Sequence, residues 1–195
     1  MKKDIILAGV GGQGILSIAT IIGYVAVEEG LFLKQAEVHG MSQRGGDVQS
    51  HLRISDKEIY SDLVPAGSAD LILSVEPMES LRFLPYLADD GYLVTNTEPF
   101  VNIPNYPEQE ELDKEIKKLP RHVALPAVDF AKEAGTIKCT NIVMLGAASS
   151  FLGVSEEKLI EGIKVVFGRK GEKIVNTNLK AFELGRKFAQ ENINL

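Results

Sequence analysis

A three-layer α/β sandwich with a mostly parallel sheet is the fold class this sequence predicts, and three observations carry it. Asp4 to Ala8 is a short, continuous apolar run, the pattern of a strand buried on both faces. It runs directly into Gly9-Val10-Gly11-Gly12-Gln13-Gly14, a stretch dominated by glycine. Apolar residues at Ile15, Ala19, Ile22 and Ala26 then recur on one helical face, and Leu31 to Glu37 reads as a second strand after Gly30. Strand, glycine turn, helix and strand make a βαβ unit, so the architecture is Rossmann-like.

The next stretch breaks that rhythm. His39 to Gly46 is too polar and too rich in glycine for a regular element and reads as a loop. Val48, Ser50, Leu52 and Ile54 alternate with Gln49, His51 and Arg53, which predicts a strand with one polar face. Ser55-Asp56-Lys57 is a turn, after which Glu58 to Ser61 is expected to pair back as an antiparallel strand. Ala69 to Val75 is a further buried strand, with a helix from about Pro77, where proline suits the first turn. Tyr92 to Thr95 and His122 to Leu125 are strands. Between them lie an extended surface segment with three prolines, Pro99 to Pro107, and a solvated helix, Glu108 to Lys118. Ala127 to Ala134 is a short helix. Asn141 is expected to cap a helix from Ile142 to Leu152, and Ser155 another with Leu159, Ile160, Ile163, Val166 and Phe167 inward. A terminal helix covers about Asn178 to Asn192, so the C-terminal third is helical. No repeat or linker divides the chain, and residues 1–195 are expected to form a single domain.

Composition narrows the function. The chain of 195 residues has a formal net charge of −6, which argues against nucleic acid, whose phosphates are gripped by clustered Lys and Arg. No apolar run approaches the ~20 residues that span a bilayer, and no export signal is evident. A cytoplasmic location is expected. The single cysteine, Cys139, closes no intrachain disulfide and holds no iron–sulfur cluster, which usually takes four thiolates. The three His show no HExxH-like spacing, so no metal site is expected. Redox chemistry therefore belongs to a bound cofactor or to another chain.

Two motifs carry the candidate site. Gly9, Gly11 and Gly14 fit G-x-G-x-x-G between a strand and a helix: the first glycine makes the tight turn, the second admits a pyrophosphate, and the third lets helix and strand pack closely. The helix N-terminus offers unpaired N–H groups and a partial positive charge to a phosphate. A turn that binds nothing is the alternative. A conventional NAD site wants an acid closing the second strand, and Glu37 stands near that position. The second motif is Ser42-Gln43-Arg44-Gly45-Gly46. An Arg flanked by glycines has little steric cover, so its planar fork can reach an anion or a partner's carboxylate. His39 and His51 can titrate near neutrality but are read as hydrogen-bonded structural or interface residues. Cys139 is read as a packing residue, and Arg169 to Lys173 as a solvated loop.

Taken together, GVGGQGI, EVHGMSQRGGDVQSHLRIS, IYSDLVP and ADLILSVEPMESLR, in that order, resemble the gamma-type subunits of 2-oxoacid:ferredoxin oxidoreductases. The wording EVHGMSQRGG resembles the indolepyruvate branch in particular. The likeness covers nearly the whole chain, including Thr140-Asn141 through Gly146 and Asn176 through Gly185. It implies a small subunit of an anaerobic enzyme that converts a 2-oxoacid to acyl-coenzyme A and carbon dioxide, passing two electrons to ferredoxin. Thiamine diphosphate and iron–sulfur clusters are then expected on a larger partner subunit, with coenzyme A as co-substrate. By position, Gly9, Gly11, Gly12, Gln13 and Gly14, with Ser42, Gln43, Arg44, Gly45 and Gly46, are the candidates to face coenzyme A or the partner's site. No catalytic acid, base or nucleophile is assigned. A free-standing NAD(P)-dependent oxidoreductase and a non-catalytic nucleotide-binding domain are the rival readings.

Overall fold

The computed structural model describes residues 1–40 and 45–193. Six strands form the sheet: β1 (Lys2–Val10), β2 (Phe32–His39), β3 (Asp47–Ser55), β4 (Ala69–Ser74), β5 (Leu87–Asn96) and β6 (His122–Leu125). Their order across the sheet is β2-β3-β1-β4-β5-β6. β1, β4, β5 and β6 are mutually parallel, whereas β3 runs antiparallel to both of its neighbours, β1 and β2. The expected α/β sandwich with an antiparallel hairpin is therefore the architecture observed.

Alternation along each parallel strand explains why helices cover both faces. Ile5, Leu7, Leu71, Leu73, Val94, Val123 and Leu125 enter one core. Ile6, Ala8, Ile72 and Leu93, one residue out of step, enter the other. The first core is roofed by α1 (Ile15–Glu28), α4 (Ala127–Ala134), α5 (Thr140–Ala148), α6 (Glu156–Gly168) and α7 (Glu172–Asn192). Ile116 of α3 (Gln109–Lys117) closes the second, beside the short α2 (Pro77–Arg82).

The C-terminal helices pack unusually closely. A Cβ on Gly185 would lie 1.9 Å from the Val143 carbonyl oxygen, and one on Gly146 only 2.0 Å from that of Phe182. Two glycines facing each other thus let α5 and α7 touch backbone to backbone. α7 begins at Glu172, earlier than Asn178, because the chain turns out of α6 within a few residues. α5 gives way at Ser149–Phe151 to a 3-10 turn rather than continuing to Leu152. Ser155 caps α6 as expected, its hydroxyl accepting from the Lys158 N–H at 3.3 Å. α6 runs antiparallel to α1: the Ser155 N–H meets Glu29 at the end of α1, and Gly162 sits against Ile21 and Tyr24.

The expected partnership of β3 with Glu58 to Ser61 is not formed, and those residues are not a strand. The hairpin is β2–β3, with Phe32 opposite Ser55 and His39 opposite Val48. Side chains of β3 take the backbone groups that a new strand would have used. Arg53 donates from Nη1 to the carbonyls of Ser61 (3.1 Å) and Leu63 (3.0 Å), while the Val64 N–H donates to Nδ1 of His51 at 3.0 Å. Arg53 itself is held by buried Asp4 through Nε and Nη2, at 2.7 and 3.1 Å. The polar face expected on β3 is therefore largely covered: His51 is buried, edge-on to Tyr86.

Candidate functional site

At the carboxyl end of β1 the chain has to reverse into α1 in four residues, and glycines supply the backbone shapes. Gly12 has φ +102° and Gly14 φ +82°, the left-handed region that costs an L-residue about 1 kcal/mol or more. Gln13 turns inward, its Oε1 accepting from the Val10 N–H at 2.8 Å, so it braces the turn rather than reaching outward. Gly14 is the N-cap of α1 and has no side chain to offer. Its carbonyl accepts from the Ser17 N–H and from Nδ2 of Asn141, at 3.0 and 3.1 Å. Asn141, expected to cap its own helix, sits inside α5 and instead ties the start of α5 to the start of α1.

The two sequence motifs meet here. The Gly11 N–H donates to the Gly46 carbonyl at 2.8 Å, and the Gly45 N–H donates back to the Gly11 carbonyl at 3.3 Å. Asn102 closes the group from a third side, donating from Nδ2 to the Gly45 carbonyl at 2.8 Å. Gly9, Gly11, Gly12, Gln13, Gly14, Gly45 and Gly46 therefore form one cluster. Ser42, Gln43 and Arg44 lie outside the described residues. The Gly11 N–H, which a dinucleotide fold would aim at a pyrophosphate, is occupied by this pairing. The N–H groups of Gly12, Gly14, Ile15 and Leu16 have no acceptor among the described residues, and Gly12 is exposed with open space where a side chain would go. The anion-binding capacity of the turn is thus moved from its middle to the start of α1.

Beside the turn, the ends of β4 and β5 hold a buried polar group outside both motifs. Glu76 is fully buried and caps α2, its Oε2 accepting from the Glu79 N–H at 2.8 Å. Its other oxygen accepts from the Phe100 N–H at 3.2 Å and from the Tyr106 hydroxyl. The proline-rich stretch 99–107 is therefore strapped down over Glu76. Burial and the Glu76 carboxylate push the Tyr106 phenol up. Asn96 joins three strand ends, donating to the Val75 and Glu98 carbonyls and accepting from the Ala127 N–H. Glu79 is also fully buried. Its carboxyl is pushed up to about 7, mainly by burial, and further by Glu76 and Asp47, against the lowering effect of Arg82. Arg82 Nε lies 3.0 Å from Oε2 but is not aligned to bond it, and both oxygens lack a hydrogen-bond partner among the described residues. The signal in the sequence is Glu-Pro-x-Glu after a buried strand: an acid at the N-cap, proline in the first turn and a second acid three residues on.

The other candidates take structural places. Glu37 lies on β2, which β3 separates from β1, so it stands two strands away from the glycine turn where a ribose-binding acid would be one strand away. It pairs instead with His39 and accepts from Gln35 at 3.4 Å. This displacement removes the main support for a free-standing NAD(P) enzyme. Burial pushes the His51 pKa down, with neighbouring Arg53 adding to the effect. Cys139 is buried and its thiol is pushed up by that burial. No helix among the described residues is long and apolar enough to cross a membrane.

A glycine turn locked to a second glycine loop, on a sheet whose third strand is inserted antiparallel, sets this chain apart from conventional dinucleotide enzymes. The chain belongs to the pyruvate ferredoxin/flavodoxin oxidoreductase family, which it matches over residues 4–188. It is 39% identical to the indolepyruvate oxidoreductase subunit IorB of Thermococcus kodakarensis over 206 aligned residues, covering 100% of both chains. Among solved structures, the gamma subunit of a keto/oxoacid ferredoxin oxidoreductase from Geobacter sulfurreducens superposes with a TM-score of 0.69 at 26% identity, over 97% of this chain and 99% of that one. The 2-oxoglutarate:ferredoxin oxidoreductase of Magnetococcus marinus, solved with 2-oxoglutarate, coenzyme A and succinyl-CoA bound, gives a TM-score of 0.77 at 23% identity. It shares the fold over 100% of this chain, which spans 32% of that longer polypeptide. The chain is accordingly a small oxidoreductase subunit of the 2-oxoacid:ferredoxin type, and the free-standing NAD(P) reading is set aside.

Proposed function

We propose that this chain is the binding and orienting subunit of an arylpyruvate-type 2-oxoacid:ferredoxin oxidoreductase, which converts the oxoacid to acyl-coenzyme A and carbon dioxide while reducing ferredoxin. The observation that carries the proposal is the end-to-end match to an indolepyruvate oxidoreductase subunit. Physical chemistry agrees. One buried cysteine does not ligate an iron–sulfur cluster, so the clusters and thiamine diphosphate are assigned to a larger partner, in the cytoplasm of an anaerobe. Those cofactors supply decarboxylation and electron transfer when bound. This chain's part is to hold the co-substrate in reach of them, which lowers the barrier by positioning rather than by proton transfer.

In this reading the free N–H groups of Gly12, Gly14, Ile15 and Leu16 receive an anionic group of coenzyme A. Gln13, Asn141 and Asn102 keep the turn rigid, and Gly45 and Gly46 complete the wall toward the partner. The test uses Gly12→Asp in the assembled enzyme. A Cβ there meets nothing within 4 Å, so a carboxylate has room to repel the anion, but φ +102° adds a backbone cost of about 1 kcal/mol or more, and melting of the variant assembly is measured beside its kinetics. The expected result is a raised KM for coenzyme A with the KM for the oxoacid unchanged. An unchanged KM for coenzyme A in the folded assembly contradicts this placement.

A further inference from the structure

We infer that Glu76 and Tyr106 are positioning residues for the glycine turn, acting on it through the proline-rich strap 99–107 and the side chain of Asn102. Both ends of the strap are tied to one atom: Oε1 of Glu76 accepts from the Phe100 N–H at 3.2 Å and from the Tyr106 hydroxyl. Between those ties, Asn102 donates from Nδ2 to the Gly45 carbonyl at 2.8 Å. The Gly45 N–H in turn donates to the Gly11 carbonyl at 3.3 Å, and the Gly11 N–H to the Gly46 carbonyl at 2.8 Å. Hydrogen bonds joined by short chain segments therefore run unbroken from a buried carboxylate to the middle of the turn.

Packing does not explain where the strap lies. None of residues 99–107 belongs to either hydrophobic core, and its large apolar side chains are exposed, Phe100 by 44%, Val101 by 69% and Ile103 by 36%. Apolar burial thus contributes little to holding it. Pro99, Pro104 and Pro107 reduce the conformational entropy lost on ordering, and hydrogen bonds fix the place. Capping the six-residue α2 takes only Oε2 of Glu76, which accepts from the Glu79 N–H at 2.8 Å. A short serine, threonine or aspartate serves that purpose at a surface. A fully buried glutamate bears the desolvation cost of its carboxyl group, and no cation pairs with it among the described residues. Its second oxygen is bonded by the two ends of the strap. What that arrangement fixes in space is Asn102, and through it Gly45.

The site needs such a brace because its backbone has little rigidity of its own. Gly12, Gly14 and Gly45 all have positive φ, and Gly12 and Gly45 have open space where a Cβ would be; glycines hold one conformation only where neighbours impose it. Gln13 braces the turn from within and Asn141 from α5. Asn102 stands instead on an irregular segment whose place depends on Glu76 and Tyr106. Losing either tie frees Asn102 and lets Gly45 part from Gly11 more readily. A turn already ordered presents its N–H groups without reorganisation, and that raises affinity for whatever they receive. That the occupant is coenzyme A rests on the proposed function; the ordering of the turn does not.

The experiment follows amide deuterium uptake and steady-state kinetics of the assembled enzyme in wild type, Tyr106→Phe, Asn102→Ala and the double variant. Tyr106→Phe removes one hydroxyl and Asn102→Ala one amide, both from a segment outside the cores, and melting of each assembly checks the fold. Each single variant should speed uptake within residues 9–14 about fivefold, the worth of one hydrogen bond, and leave uptake in β4 as in wild type. KM for coenzyme A should rise by the same factor, with KM for the oxoacid unchanged. The double variant should be no worse than Asn102→Ala, because Tyr106 acts through Asn102. A strap that merely stabilised the fold would give additive effects and faster uptake throughout. Wild-type uptake within residues 9–14 in either single variant, or additive effects in the double variant, overturns the inference. Gly12→Asp separates it from the placement of coenzyme A. If that variant raises KM for coenzyme A and Asn102→Ala does not, the strap does not position the turn for binding and the inference falls. Faster, coupled uptake with KM for coenzyme A unchanged in Asn102→Ala and Gly12→Asp alike upholds the action of the strap on the turn and removes coenzyme A from it.

Discussion

Replacing Glu79 with Gln should stabilise the protein at alkaline pH and leave it nearly unchanged at acid pH. The carboxyl is fully buried among Glu76 and Asp47, with Arg82 close by but unaligned, and its pKa is pushed from an ordinary 4.5 up to about 7. The folded state thus prefers the protonated form more than the unfolded chain does. The stability this preference confers is fully present below about pH 4.5 and is lost as pH rises through about 7. Every tenfold gain in proton affinity on folding is worth ~1.4 kcal/mol, which sets an upper bound of roughly 3 kcal/mol. The exposed Arg82 guanidinium and nearby solvent reduce it to about 2 kcal/mol. Glutamine keeps the shape and carries no charge, so at pH 8 the variant should melt ~4–8 °C above wild type for a chain of this size. At pH 4.5 the two should melt together. Thermal unfolding followed by circular dichroism at both pH values measures this directly. A melting difference that is the same at pH 4.5 and pH 8 would show that Glu79 titrates as an ordinary surface acid, and the burial argument would fail.

Three further substitutions probe the frame around the site. Gly14→Ala combines a left-handed backbone at φ +82° with a Cβ 2.7 Å from Asn141 Nδ2, and should cost about 2–3 kcal/mol in urea unfolding; a loss below about 0.5 kcal/mol would refute the strain. Gly185→Ala drives a methyl into the Val143 carbonyl at 1.9 Å, and should destabilise by more than ~3 kcal/mol or prevent folding by forcing α5 and α7 apart; a melting temperature like wild type would show the helices have room. Arg53→Leu removes the donor that holds the Ser61 and Leu63 carbonyls, so limited proteolysis should cut within residues 56–64 faster than in wild type, and an unchanged cleavage pattern would show that other contacts secure the segment.

The first βαβ stretch is readable from sequence because sterics leave few choices. A strand buried on both faces must be apolar throughout, and reversal into a helix within four residues demands glycine at Gly12 and Gly14. The placement of β3 is not readable in the same way. Its alternating pattern fits equally well a hairpin with Glu58 to Ser61, and the decision lies in side chains, with Arg53 and His51 taking the backbone groups of Ser61, Leu63 and Val64. The same limit applies to Asn141: its type suggests a local cap, whereas its partner is a carbonyl 127 positions away. The glycine motif is visible as a turn, but its pairing with Gly45 and Gly46 is a long-range backbone contact that no local pattern encodes. The Glu-Pro-x-Glu pattern marks Glu76 as a helix cap, but the burial of Glu76 and Glu79 is not legible in the sequence because acids are usually surface residues, and it is the strap formed by Phe100 and Tyr106 that makes Glu76 a structural anchor.

The central claim is that this chain works as the small subunit of a coenzyme A-dependent 2-oxoacid oxidoreductase. It is tested most directly by recovering the tagged chain anaerobically from its own cells and assaying the eluate for dye reduction with indolepyruvate, with and without coenzyme A. The account predicts a large iron–sulfur protein in the eluate and reduction that requires both the oxoacid and coenzyme A. Recovery of the chain without a partner, or oxoacid-dependent reduction indifferent to coenzyme A, would contradict it.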